Sequence, residues 1–443
     1  MSDNTTSSGQ SWYIRGARIV DPATKRDEIA DFFFTNGIIA ATPRSPPAGA
    51  VVINGEGLVL TPGFIDLHVH LREPGGEAAE TIESGSKAAA RGGFTTIVSM
   101  PNTTPPIDTP ELVEFVVRRA AEAGLVRVLP SGCISVGRKG VTVADLAGMA
   151  AAGAAAFTDD GAVVANDDVM RSAMQIAGRL GRPVMDHALD PALSGSGVMH
   201  QGPASIALGL AGIPSSAETT IVERDVALAA STGCRVHIQH ISAAGSVDII
   251  RDALARSLPV SCEVTPHHLT LCDNDVRPDN TSTKVSPPLR SDADRKALVA
   301  GIQNGIVQAL ATDHAPHTAA SKRAAFEKAP FGMTGLETAI GVTYTTLVRG
   351  GLLSLSDWVR LWTTGPAGIL GIRTPSMEAG RPADVVLLDL ASEWEVQTGS
   401  FFSKSTNSPF TGRVLTGAAA RTFCGGRLTW DREAGHIDKG GRT

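Results

Sequence analysis

Gly63-Phe64-Ile65-Asp66-Leu67-His68-Val69-His70-Leu71-Arg72 is the stretch from which the rest of the chain can be read. Side chains of a β-strand alternate between its faces, so His68, His70 and Arg72 share one face and Leu67, Val69 and Leu71 the other. A lone histidine closing an apolar strand is usually structural. Two imidazoles side by side there make a metal chelate.

Seven further β-rich runs follow that strand: Phe94 to Met100, Val126 to Ser131, Ala154 to Thr158, Pro183 to His187, Arg235 to Ile241, Pro259 to Val264 and Ile306 to Thr312. Between them lie Ala-rich segments of helical period, such as Thr81 to Arg91, Thr109 to Ala123 and Thr219 to Ser231. Strand and helix alternating eight times predict an α/β fold, a (β/α)8 TIM barrel, with a doubly wound open sheet as the alternative. Further candidate ligands land just after strands: Asp159 and Asp160 after the fourth, His187 and His240 at the ends of the fifth and sixth, Asp313 after the eighth. Barrel enzymes keep their active sites on that rim. Four histidines and two carboxylates suit zinc and exceed what one tetrahedral ion needs, so two ions with a bridging carboxylate are expected. Asp159 and Asp160 are chemically equal candidates for the bridge.

The ends of the chain resemble one another and differ from its middle. Tyr13 to Val20, Ala30 to Ala41 and Val51 to Leu60 alternate with Gly, Pro and Asn turn signals, and Ala383 to Leu388, Arg413 to Leu415 and Arg421 to Leu428 repeat that texture. This predicts antiparallel strands in a small β-sandwich-like domain formed by residues 1–60 together with 376–443, with the barrel hydrolase domain at 61–375. A chain of 443 residues, 42% hydrophobic, is long enough for both.

Net charge is -6, and Lys and Arg are scattered, so no nucleic-acid partner is expected. Met1 to Gln10 lacks the basic and apolar regions of a secretory signal, and no apolar run approaches a membrane span, which predicts a soluble cytoplasmic protein without a membrane partner. The five cysteines are widely spaced with no CxxC pair, so reduced thiols are expected.

The runs GFIDLHVHLREPG (63–75), MPNT (100–103), FTDDG (157–161), CEVTPHHL (262–269), ATDHAPH (311–317), PFGMTGLET (330–338) and SPFTGR (408–413) resemble the class I dihydroorotases of the amidohydrolase superfamily, over essentially the whole chain. The resemblance implies reversible cyclisation of N-carbamoyl-L-aspartate to L-dihydroorotate plus water, in de novo pyrimidine (UMP) biosynthesis, on two Zn2+ ions per chain. It implies that His68, His70 and Asp313 hold one metal, that His187 and His240 hold the other, and that Asp160 bridges them. Asp313 would also be the catalytic acid and base. Arg72, Asn102 and His317 match positions that hold the substrate's α-carboxylate, and Phe331 and Gly332 match a segment that meets the dihydropyrimidine ring. Ser286 stands where the family commonly has Asn, which puts substrate affinity or choice in question. Hydantoinases and allantoinases, the alternative cyclic amidases, usually place a carboxylated lysine at the bridge. Dihydroorotase-like chains that only support an aspartate transcarbamoylase lack the ligands that are complete here. A homo-oligomer is expected, and the resemblance admits an aspartate transcarbamoylase as partner.

The remaining histidines carry less. His237, His267 and His268 read as structural or supporting residues, His200 and His436 as solvated ones. Thr318 to Ala329, charged and without a clear period, reads as a loop that closes over substrate or as a solvated helix.

Overall fold

The structure, a computed structural model, describes residues 9–435. Eight parallel strands, Phe64–Val69, Phe94–Ser99, Arg127–Gly132, Ala156–Phe157, Val184–Asp186, Val236–Ile238, Val260–Val264 and Ala309–Leu310, pair in chain order. A bridge between Val69 and His314 joins the two ends, and the His70 amide donates to the His314 carbonyl at 2.9 Å. Sequential order and a joined seam make this a (β/α)8 barrel and not an open sheet, in which strand order reverses midway. Each of the eight β-rich runs contributes a strand, most of them shorter than the run.

The crossover helices follow from local chemistry. In Pro110–Ala123 the Thr109 hydroxyl accepts the Leu112 amide, Pro110 fixes the first turn, and Gly124 ends the helix at φ 59. Its buried face carries Val113, Val116 and Ala120, spaced three and four apart as one helix face requires. At the start of the first strand, Phe64 stacks on Trp362 at 6.1 Å and meets Trp358 edge-on at 5.3 Å. Phe94 meets Trp362 at 5.3 Å, so aromatic packing seals the end of the barrel opposite the histidines.

Both termini form a second, continuous eight-stranded sheet. Its order runs Arg427–Asp431, Val414–Cys424, Val385–Glu395, Val59–Pro62, Ser11–Asp21, Arg26–Thr35, Ile38–Ile39, with Val51–Asn54 also paired to Ser11–Asp21. The expected antiparallel pairing holds for Ser11–Asp21 with Arg26–Thr35, but Val51–Asn54 and Val59–Pro62 both run parallel to Ser11–Asp21. The chain returns to the starting edge before pairing, and no hairpin connects these strands. Trp12 and Phe34 from the first sixty residues pack on Phe423 at 5.0 and 5.1 Å, tying the two ends together. His436 lies outside the described residues. Among the described residues, no helix is long and apolar enough to cross a membrane. The five cysteines are free.

Candidate metal centre

The site is built where barrel strands turn outward. Arg72, His240 and Asp313 sit at φ 60, 31 and 46, in the left-handed region that costs a non-glycine residue about 1–3 kcal/mol. Each follows a strand end, and all three line the same cavity.

Two groups of potential ligands result, His68 with His70 and Asp160, and Asp160 with His187 and His240. Asp160 belongs to both. Its Oδ1 lies 3.2 Å from His68 Nε2 and 3.5 Å from His187 Nδ1, and its Oδ2 lies 3.5 Å from His70 Nε2. His187 Nδ1 and His240 Nε2 face each other at 2.9 Å. Asp313 joins the first group, with Oδ1 3.1 Å from His70 Nε2 and 3.5 Å from His68 Nε2. Asp159 points elsewhere: it accepts the amides of Ile134 at 2.8 Å and Ser135 at 3.1 Å, and the Ser135 hydroxyl.

The residues fit a metal ion. His68 Nε2 and Asp160 Oδ1 are buried and form no hydrogen bond, an arrangement that is costly unless a cation fills it. Burial alone would lower the proton affinity of His68, but the carboxylates of Asp160 and Asp313 raise it well above its ordinary value. Burial alone would likewise raise the carboxyl of Asp313, yet the imidazoles of His68 and His70 hold it below the carboxylate range. Both shifts express the attraction between His68 and the two carboxylates, whereas burial and then the Arg72 charge lower the proton affinity of His70.

His68 lies beneath the floor of a cavity of about 200 Å³, and the other sequence-predicted site residues line it. Arg72 donates from Nε to the Pro316 carbonyl at 3.2 Å, and its Nη2 lies 3.4 Å from His317 Nε2. His317 Nε2 donates to the Phe331 carbonyl at 2.7 Å; burial first, and the Arg72 charge second, push its pKa down to about 3. Asn102 is more committed than its expected role suggests. Its Oδ1 accepts from His70 Nδ1 at 2.9 Å and its Nδ2 donates to Asp160 Oδ2 at 3.1 Å, so it orients two candidate ligands while facing the cavity. Ser286 Oγ lies 3.5 Å from His187 Nε2, at the limit of a hydrogen bond. Gly161 holds φ 73, a left-handed conformation that favours glycine, and lies beside Arg138 Nη2 and Asn102 Nδ2.

Several positions differ from the expectations. His200 is buried, not solvated: the short parallel pairing of Met199–His200 with Gly212–Ile213 brings it under the strand connection, with Nδ1 3.3 Å from Arg290 Nη1. The segment 318–329 is exposed along half its length but anchored through buried side chains. Lys322, at the end of its only helix, Ala319–Lys322, turns inward and donates to the carbonyls of Pro330 and Gly332 at 2.9 Å each. Lys284 does the same for Glu327 and Ala329, at 3.0 and 2.8 Å, so two ammonium groups hold the backbone on either side of Phe331. Asn407, one residue before the SPFTGR run, ties the two loops of the pocket by donating to Ala315 and Gly332, each at 3.1 Å. His237, His267 and His268 are buried, as supporting residues would be.

Residues 57–246 match a family model described as dihydro-orotase-like. Over 416 residues the chain is 47% identical to the dihydroorotase of Pelotomaculum thermopropionicum, covering 94% of this chain and 97% of that one. It is 43% identical over 425 residues to the dihydroorotase of Solibacter usitatus, covering 96% and 99%. Among solved structures, the L-hydantoinase (dihydropyrimidinase) of Arthrobacter aurescens superposes with a TM-score of 0.86 at 26% identity, over 96% of each chain. The dihydropyrimidinase of Brevibacillus agri, at 23% identity and a TM-score of 0.83 over 95% of each chain, shares the fold.

Proposed function

The chain belongs to the dihydroorotase family, and from that premise we propose how its residues carry out the reversible cyclisation of N-carbamoyl-L-aspartate to L-dihydroorotate, a step of pyrimidine biosynthesis. The observation that carries the reading is that Asp160 is shared by two His-containing ligand groups beneath a cavity walled by Arg72 and His317. His68, His70 and Asp313 would hold one zinc ion and His187 and His240 a second, with Asp160 between them. When bound, the ions supply Lewis acidity, which brings the pKa of water toward neutrality and polarises a carbonyl.

The chain's own residues do the rest. Arg72 presents a guanidinium that is suited to two parallel hydrogen bonds with the α-carboxylate that dihydroorotate and carbamoyl aspartate share. His317, neutral at working pH, supplies polar recognition without adding a second charge, and Gly332 offers backbone at the cavity wall. In ring opening, Asp313 accepts a proton from the attacking water and returns it to the departing amide nitrogen; in ring closure it runs the same transfers in reverse. The ligand-bearing unit 61–375 performs the chemistry, and the sheet of both termini supports it.

Turnover of L-dihydroorotate, dihydrouracil and allantoin, with zinc content measured on the same sample, tests the reading. Activity confined to dihydroorotate with two metals per chain is expected. Metal without dihydroorotate turnover would overturn it and point to a neutral cyclic amide, for which Arg72 has no carboxylate to bind.

A further inference from the structure

A carboxylate stands where a barrel interior is ordinarily filled with branched apolar side chains: Glu263, in the seventh strand, is fully buried below the histidines. An uncompensated buried charge is not tolerated, so its neighbours define its purpose. Its Oε1 lies 3.3 Å from His68 Nδ1, and its Oε2 lies 3.1 Å from His237 Nε2. His237 is held in turn through Nδ1, 2.9 Å from the Ser261 hydroxyl.

His68 Nδ1 has a competing neighbour. Gln239 Nε2 lies 3.2 Å from the same atom, and an amide nitrogen can only donate. A neutral imidazole carries one proton. If Gln239 donated to Nδ1, the proton would sit on Nε2 and aim at Asp160, leaving no lone pair for a metal. If Nδ1 carries the proton, only Glu263 can accept it, and the Nε2 lone pair faces Asp160 and His70.

We propose that Glu263 is the positioning residue of the metal centre: it accepts the Nδ1 proton of His68 on one oxygen, while its other oxygen faces His237 Nε2 at ion-pair distance without an aligned hydrogen bond, so that His68 presents Nε2 to the metal. The assignment rests on the metal reading above. Removal of such an outer partner weakens metal affinity by about 10- to 100-fold in general. Because Glu263 supports His68 and neither His187 nor His240, the loss falls on one ion of the two.

The test is zinc titration against a competing chelator, on full-length protein stripped of metal, for wild type, Glu263→Gln, Glu263→Asp and Gln239→Met. Near-ultraviolet circular dichroism of each metal-free protein reports the fold. The expected result is a folded Glu263→Gln protein in which one zinc binds about 10- to 100-fold more weakly and the other as in wild type. Glu263→Asp, keeping the charge on a shorter arm, should recover part of the loss, and if Glu263→Gln does not fold, its affinity between wild type and a tenfold loss carries the same conclusion. Wild-type affinity in folded Glu263→Gln, equal weakening of both ions, or a similar loss in Gln239→Met would overturn the assignment of Glu263 alone. A wild-type chain that took up no zinc would overturn the metal reading and this assignment with it.

Discussion

His68 Nε2 and Asp160 Oδ1 stand 3.2 Å apart, both buried and neither hydrogen-bonded, although their residues lie on the first and fourth strand ends of the barrel. A pair left in that state needs a third, positively charged participant. Replacing Asp160 with Ala should reduce bound zinc from the two ions proposed per chain to one or none, read by elemental analysis after dialysis. Full occupancy in a folded variant would remove Asp160 from the bridge.

Asp313 reaches His70 through Oδ1 and is assigned a proton transfer as well as a metal. Asp313→Asn keeps the shape of the side chain but not its basicity. We expect kcat to fall by about 10²- to 10⁴-fold, the usual cost of losing a general acid-base group, in protein whose zinc content is checked alongside. Turnover close to wild type with metal in place would refute the proton-transfer role.

Arg72→Met conserves much of the stem and deletes the guanidinium. A charge-assisted hydrogen bond contributes about 1.5–3 kcal/mol, so kcat/KM for dihydroorotate should drop roughly tenfold to hundredfold, mostly through KM. Steady-state kinetics in both directions measure this. An unchanged KM for the carboxylate-bearing substrates would take Arg72 out of recognition.

His317 has a folded pKa near 3 against an ordinary 6.5, because it is buried beside Arg72. The unfolded chain therefore takes up this proton below pH 6.5, while the folded chain resists until about 3. The contribution to stability is full above 6.5 and declines as pH falls toward 3. In ligand-free protein, the His317 imidazole resonances should show no titration between pH 8 and 5 by NMR. A midpoint near 6.5 would contradict the burial argument.

Phe423 packs against Trp12 and Phe34 and so joins strands from opposite ends of the chain. Phe423→Ala should cost about 3–5 kcal/mol, the range for emptying a buried aromatic position. Denaturant unfolding of metal-free protein measures it. A loss below about 1 kcal/mol would mean that the terminal sheet repacks or contributes little to the cooperative unit.

The sequence by itself determined the alternation of strand and helix that pointed to a barrel, although the choice against an open sheet waited on the Val69–His314 seam. It also determined that His68 and His70 share a strand face and that candidate ligands gather at strand ends. These are consequences of period-2 and period-3.6 geometry, which is local. What stands across from a residue is not local: Asp66 accepts the Thr312 amide at 3.0 Å from 246 positions away. Between two adjacent carboxylates that strand-end position left equal, the family resemblance pointed to Asp160, and the tertiary structure turns Asp159 to the Ser135 loop and Asp160 to the imidazoles. It alone buried His200 and turned Lys322 inward, since a polar side chain in an aperiodic segment carries no signal of direction. Glu263 was hidden for a related reason. A charge within an apolar strand reads as one alternating position among others until closure of the barrel sets it between His68 and His237, where low dielectric makes its partners obligatory.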